Sequence, residues 1–124
     1  MKTLTKLWLP VLIYAILIFW ISSFDRPFNV ALNITNIDKF LHLLEYAVFG
    51  FLLIRAVKGS NPSIPLNAAI ILTFVIGAFY GMADELHQSV VPGREAAVID
   101  FLFDSLGSFT GAAAFILICK KSQF

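Results

Sequence analysis

Residues 38–57 read DKFLHLLEYAVFGFLLIRAV, and this stretch decides the kind of fold the chain makes. Phe40–Val57 is an apolar run that, with its flanks, reaches the roughly 20 residues a membrane-crossing helix needs. Its leading end nevertheless carries Asp38, Lys39, His42, Glu45 and Tyr46. In a helix Asp38, His42, Glu45, Tyr46 and Phe49 recur every three or four residues and share one face. At about 1.5 Å per residue, His42 lies about 6 Å and Tyr46 about 12 Å inward from Asp38. Ionisable groups are costly in such a helix and by default point to function. Asp38 is also well placed to cap the helix start, and capping weighs evenly with a site role there. Glu45 lies further in and requires a partner, water or a proton.

Three further apolar stretches, about Leu4–Ser22, Leu66–Met82 and Val98–Ile118, join this one. Together they use most of the 124 residues, of which 59% are hydrophobic and 14% charged, a membrane protein's composition. The expected fold is therefore all-α: a four-transmembrane-helix bundle, one domain over residues 1–124, with no room for a soluble domain. The first stretch follows Lys2 and Lys6 as a signal peptide would. It is long for that role, and Ile21-Ser22-Ser23 is a poor cleavage site, so it reads as a retained span. Trp8 and Trp20 suit its two interfaces, and Pro10 falls in its first turns, where the missing amide is tolerated. The single cysteine, Cys119, rules out an intrachain disulfide and a multi-cysteine metal site and reads as a small apolar filler. A net charge of +1 and the lack of an aromatic-interleaved basic patch argue against nucleic-acid binding.

Charge sets the expected topology. One side of the membrane receives Lys2, Lys6, Arg55, Lys58, Lys120 and Lys121; the other receives Arg26, Lys39 and Arg94. Six bases against three place the first side, with both termini, in the cytoplasm. All eight acids and both histidines then fall on the outer side. Acids contribute little to orientation, so their segregation is a separate observation and reads as a site. The connections agree: Ser22–Ile37 is the longer outer one, residues 58–63 are a short inner turn, and Gln88–Ala97 is an outer turn around Pro92-Gly93-Arg94.

The third and fourth stretches carry matching patterns. Gly77 and Gly81 precede Asp84, Glu85 and Gln88; Asp100 and Asp104 precede Gly107 and Gly111. Glycines four apart let helices approach closely, so the two glycine faces are expected to pack together and bring Asp84, Asp100 and Asp104 towards His42 and Tyr46. An exposed polar helix end is the simpler expectation for Glu85 and His87. Arg94 is expected to pair with Asp84 or Asp100, to hold a phosphate or carboxylate bidentately, or to do both.

These residues resemble the VanZ-like family of small bacterial multi-pass membrane proteins. The first family block reads here as Asp38-Lys39, His42, Tyr46 and Gly50; the second as Asp84-Glu85, Gln88, Pro92-Gly93-Arg94, Asp100, Asp104, Gly107 and Gly111. The resemblance spans about Ser22 to Gly111, with Asp104 standing where the family often has Asn. It implies a protein of the bacterial plasma membrane and cell envelope, in a family named for resistance to the glycopeptide teicoplanin. It implies no reaction.

Three functions compete. In an outward-facing enzyme-like site His42 would be the general acid or base with Asp84 and Asp100 beside it. Asp38, Lys39, Tyr46, Glu85, Gln88, Arg94 and Asp104 would bind the ligand, an anionic membrane lipid or lipid-linked wall precursor. A binding module would hold such a precursor, or the glycopeptide, without chemistry. A structural network would only fix helix packing. A divalent cation on His42 and carboxylates is chemically permitted, but there is no His-x-x-x-His spacing, and no cofactor is expected.

Overall fold

A computed structural model of the chain describes residues 1–24, 37–94 and 96–122, without the side chains of 121 and 122. Asp25, Arg26, Pro27 and Glu95, all of them in expected connections, lie outside the described residues. Four helices follow in order: α1 (Lys2–Ser22), α2 (Ile37–Ser60), α3 (Leu66–Gln88) and α4 (Val98–Ser122). Among the described residues there is no strand. All four are long and apolar enough to cross a membrane. At 21 to 25 residues they measure roughly 31 to 37 Å, against a hydrocarbon core of about 30 Å. The apolar runs read from sequence are thus extended at their ends, by six residues each on α2 and α3, the latter continuing through Asp84 to Gln88. Because α1 begins at Lys2, Pro10 sits inside the helix instead of in its first turns, and removes the amide that would bond the Lys6 carbonyl.

The bundle is organised around α2, which packs against each of the other three helices, while among the described residues α1 and α4 do not pack on each other. Tyr46, Phe49, Leu53, Ile54 and Val57 of α2 are buried with Val11 and Ile18 of α1, Ala69 of α3 and Ala112 of α4. Phe49 meets Tyr46 edge-on and lies 5.0 Å, centroid to centroid, from Tyr80. Ile16, Phe79, Leu102 and Leu117 point outwards and exposed, the inside-out pattern of a bundle whose solvent is lipid.

The closest seam is between α2 and α4, and glycine makes it. A side chain at Gly111 would run into the Ala47 carbonyl and come within 2.9 Å of the Phe51 amide. At Gly107 it would reach within 3.1 Å of the Ala47 amide, and at Gly50 it would strike the Ser108 backbone. The glycines of α3 face α4 elsewhere: Gly77 accommodates the Ser108 side chain, and a methyl at Gly81 would come within 2.9 Å of Asp104 Cβ. The two glycine ladders therefore do not pack on each other, contrary to the expectation from their spacing. At about 100° per residue, the 107/111 and 104/108 pairs of α4 point about 60° apart, so α4 offers one face to α2 and a neighbouring one to α3. Asp104 lies between the two.

Candidate functional site

The N-terminal ends of α2 and α4 and the C-terminal end of α3 converge at one end of the bundle, and their polar residues fill the convergence. Asp38 and Asp100 lie in first turns, where a carboxylate suits the helix dipole. Asp84 and Glu85 lie near the end of α3, where the dipole disfavours a negative charge. Local preference does not put them there, and a site that breaks a local rule is a functional cue.

His42 is at the centre, 2% exposed. Its Nδ1 lies 2.7 Å from Asp104 Oδ1, a buried hydrogen bond whose direction follows the histidine tautomer. Its Nε2 is 3.8 Å from Asp100 Oδ2, and Glu85 Oε1 lies 4.0 Å from Nδ1. Lys39 Nζ donates to Asp38 Oδ2 and sits equally close, 2.6 Å, to Asp100 Oδ1. Asp84 Oδ2 accepts from the Tyr46 hydroxyl at 3.2 Å and from Gln88 Nε2 at 3.3 Å. Gln88 Nε2 also reaches Ser22 Oγ at the end of α1. Glu85 Oε2 accepts the main-chain amide of Ala97, just before α4.

The structure thus brings Asp38, Lys39, His42, Glu85, Asp100 and Asp104 into one set of contacts, with Tyr46, Asp84 and Gln88 in an adjoining one. Glu85 is 8% exposed instead of lying on an exposed helix end. His87 is tied to α1, stacked on Phe19 at 4.2 Å with its Nε2 3.0 Å from Ser23 Oγ. Arg94 follows a Pro92-Gly93 turn in which Gly93 has φ 80°, a glycine conformation, and the Arg94 amide bonds Val91 O. Its guanidinium Nη1 donates to the Phe24 carbonyl at 2.9 Å, so the described bond of Arg94 runs to the end of α1. The cation on Asp100 is Lys39. Glu45 is half-buried, and its main-chain carbonyl accepts the Tyr14 hydroxyl.

Two members of the network carry no sequence signal of their own. Ser22 is fully buried against Gln88, and the Ala97 contribution is a main-chain amide. The balance of charge is uneven: Asp84, Glu85, Asp100 and Asp104 are all buried here beside one lysine and one imidazole. Buried carboxylates require a proton, a partner or a cation. One ligand-capable atom from each of His42, Glu85 and Asp100 lies within 4.8 Å of the others, and the same holds for Asp84, Glu85 and Asp104. Chemically the arrangement is an oriented imidazole in a carboxylate-rich, water-poor setting, able to move a proton or to ligate a metal.

Fold and site together define a helical multi-span membrane protein with a buried histidine–carboxylate cluster at one end. The chain belongs to the VanZ/LLP1 family, whose model matches residues 7–119, nearly its whole length. No curated protein and no solved structure matches it.

Proposed function

We propose that this VanZ-like protein lies in the bacterial plasma membrane with both termini cytoplasmic. Its histidine–carboxylate end then faces outward and binds the anionic group of a membrane lipid or lipid-linked wall precursor. The observation that carries this reading is the buried His42–Asp104 hydrogen bond at 2.7 Å. An imidazole whose one nitrogen is held by a carboxylate is oriented to offer the other to a ligand, either for proton transfer or as a metal ligand. Asp100 and Asp84 flank it as further acid or base groups, and Lys39 at the rim and Arg94 in the turn supply positive charge for the ligand. Capture of such a precursor would alter sensitivity to glycopeptides such as teicoplanin, whose target is the same lipid-linked material.

The test is incubation of the purified protein with a labelled lipid-linked precursor, with and without divalent metal. Turnover identifies an enzyme and retention without turnover a binding protein. His42→Gln and Arg94→Gln variants that insert normally should lose both. Unchanged behaviour in both variants would sink the site.

A second reading, a purely structural network, draws support from one pattern. Tyr46–Asp84, Gln88–Ser22, Glu85–Ala97 and His42–Asp104 each tie one helix to another or to its connecting turn. Failure of both variants to accumulate in the membrane would favour it.

A further inference from the structure

We infer that His42, Glu85 and Asp100 hold a divalent cation at the polar end of the bundle. The inference deepens the ligand-binding reading above and rests on it for the cation's purpose, but not for its binding.

Each of the three side chains has one polar atom engaged by a neighbour and a second atom turned into the cluster. His42 Nδ1 is held by Asp104 at 2.7 Å, and Nε2 faces Asp100 Oδ2 at 3.8 Å. Asp100 Oδ1 is held by Lys39 at 2.6 Å, which leaves Oδ2 for the imidazole side. Glu85 Oε2 accepts the Ala97 amide at 3.1 Å, while Oε1 is buried without a hydrogen-bond partner and lies 4.0 Å from His42 Nδ1, the nitrogen that Asp104 holds. Metal ligands are commonly arranged this way. A carboxylate on the far nitrogen of a ligating histidine fixes its tautomer, and ligating carboxylates are themselves hydrogen-bonded through the other oxygen.

The dimensions are within reach of side-chain rotation. One atom from each residue lies within 4.8 Å of the other two. A tetrahedral metal with ligands at about 2.0–2.2 Å holds them about 3.3–3.6 Å apart, so closure requires the three side chains to draw in by up to roughly an ångström. The charge agrees as well, since Glu85 and Asp100 match a divalent ion, and Asp38, 2.6 Å from Lys39, offsets the ammonium next to Asp100. One imidazole with two carboxylates suits Mn²⁺ or Zn²⁺ better than Ca²⁺. Three protein ligands leave a coordination position open, as catalytic and ligand-binding metal sites do. A cation there also resolves a conflict in the proposed function, because a phosphate approaching bare carboxylates would be repelled. Asp84 adds to the demand for positive charge: it is 4% exposed, and its Oδ1 has no hydrogen-bond partner.

The test uses the full chain in detergent, stripped with chelator. Mn²⁺ is titrated and followed by the loss of the free-ion electron paramagnetic resonance signal, with Zn²⁺ as competitor. The expected result is one Mn²⁺ per chain, displaced by Zn²⁺, with affinity reduced at least tenfold in Glu85→Gln and in His42→Gln and retained in Glu45→Gln. Two separate ligand variants keep the test decisive if one of them does not fold. Wild-type protein that binds no more Mn²⁺ than these variants overturns the inference, as does an equal loss in Glu45→Gln. A polyprenyl phosphate and inorganic phosphate are then offered to metal-loaded and metal-free protein. Metal-dependent capture of the lipid phosphate supports both readings. Metal binding without capture of either phosphate defeats the ligand reading and leaves the cation site standing. Capture by a protein that binds no metal does the reverse.

Discussion

His42 Nδ1 and Asp104 Oδ1 are 2.7 Å apart across the α2–α4 seam, 62 residues apart in sequence and both shut away from solvent. The pair joins the two helices that the glycines draw together, and it fixes the orientation of the only buried imidazole among the described residues.

Replacing Asp104 separates hydrogen bonding from charge. Asn at 104 keeps an acceptor for Nδ1, so Asp104→Asn is expected to cost about 1 kcal/mol or less in stability. Asp104→Leu leaves the buried imidazole without that acceptor and is expected to cost about 2–3 kcal/mol. Denaturant unfolding in detergent, followed by helical circular dichroism, reads both. Equal losses would mean that the bond contributes nothing.

The α2–α4 seam predicts a sharp contrast between glycines. Gly111→Ala places a methyl against the Ala47 carbonyl, which cannot move without the helix, and about 1–3 kcal/mol of destabilisation is expected. Gly59→Ala meets only the Leu7 side-chain tip at 2.8 Å, which can rotate away, so its midpoint should stay close to wild type. Thermal unfolding of the two variants side by side checks this.

Tyr46 and Gln88 donate to the same oxygen of Asp84, and their contributions should therefore be coupled. Tyr46→Phe alone is expected to cost about 1–2 kcal/mol. In a cycle with Gln88→Leu, an interaction energy of at least about 0.5 kcal/mol is expected, because the second loss leaves Asp84 Oδ2 with neither donor. Strict additivity would show that the two bonds do not share an acceptor in the folded protein.

The proposed orientation is open to chemical labelling. In a Cys119→Ser background, Ser89→Cys lies in the exposed turn after α3 and Ser63→Cys in the exposed turn before it. A membrane-impermeant maleimide applied to intact cells should modify the first and spare the second until the membrane is permeabilised. The opposite pattern would invert the assignment of the polar end.

The architecture was legible because it depends on composition along single segments. Four apolar runs and the end to which Asp38, His42, Asp84, Asp100 and Asp104 belong follow from spacing alone. Pairing between helices was not legible in the same way. Gly107 and Gly111 have the same signature whether they face α3 or α2, and only the rotation of α4 decides it. The burial of Glu85 depends on the Ala97 amide, which no side-chain pattern reports. Lys39 and Arg94 look interchangeable as partners for Asp100, yet Lys39 is one residue from Asp38 and closes the pair, while the Pro92-Gly93 turn carries Arg94 to Phe24. A search for metal spacing along one helix also finds nothing, because His42, Glu85 and Asp100 come from three.

The central place of α2 has a consequence for how the protein is made. Its closest neighbour, α4, is synthesised after α3, so α2 leaves the ribosome well before Asp100 and Asp104 exist. During that interval Lys39 and His42 must be sheltered by water at the bilayer surface or by the insertion machinery. The polar cluster closes only when α4 arrives, which makes that span the step that commits the first three to this arrangement.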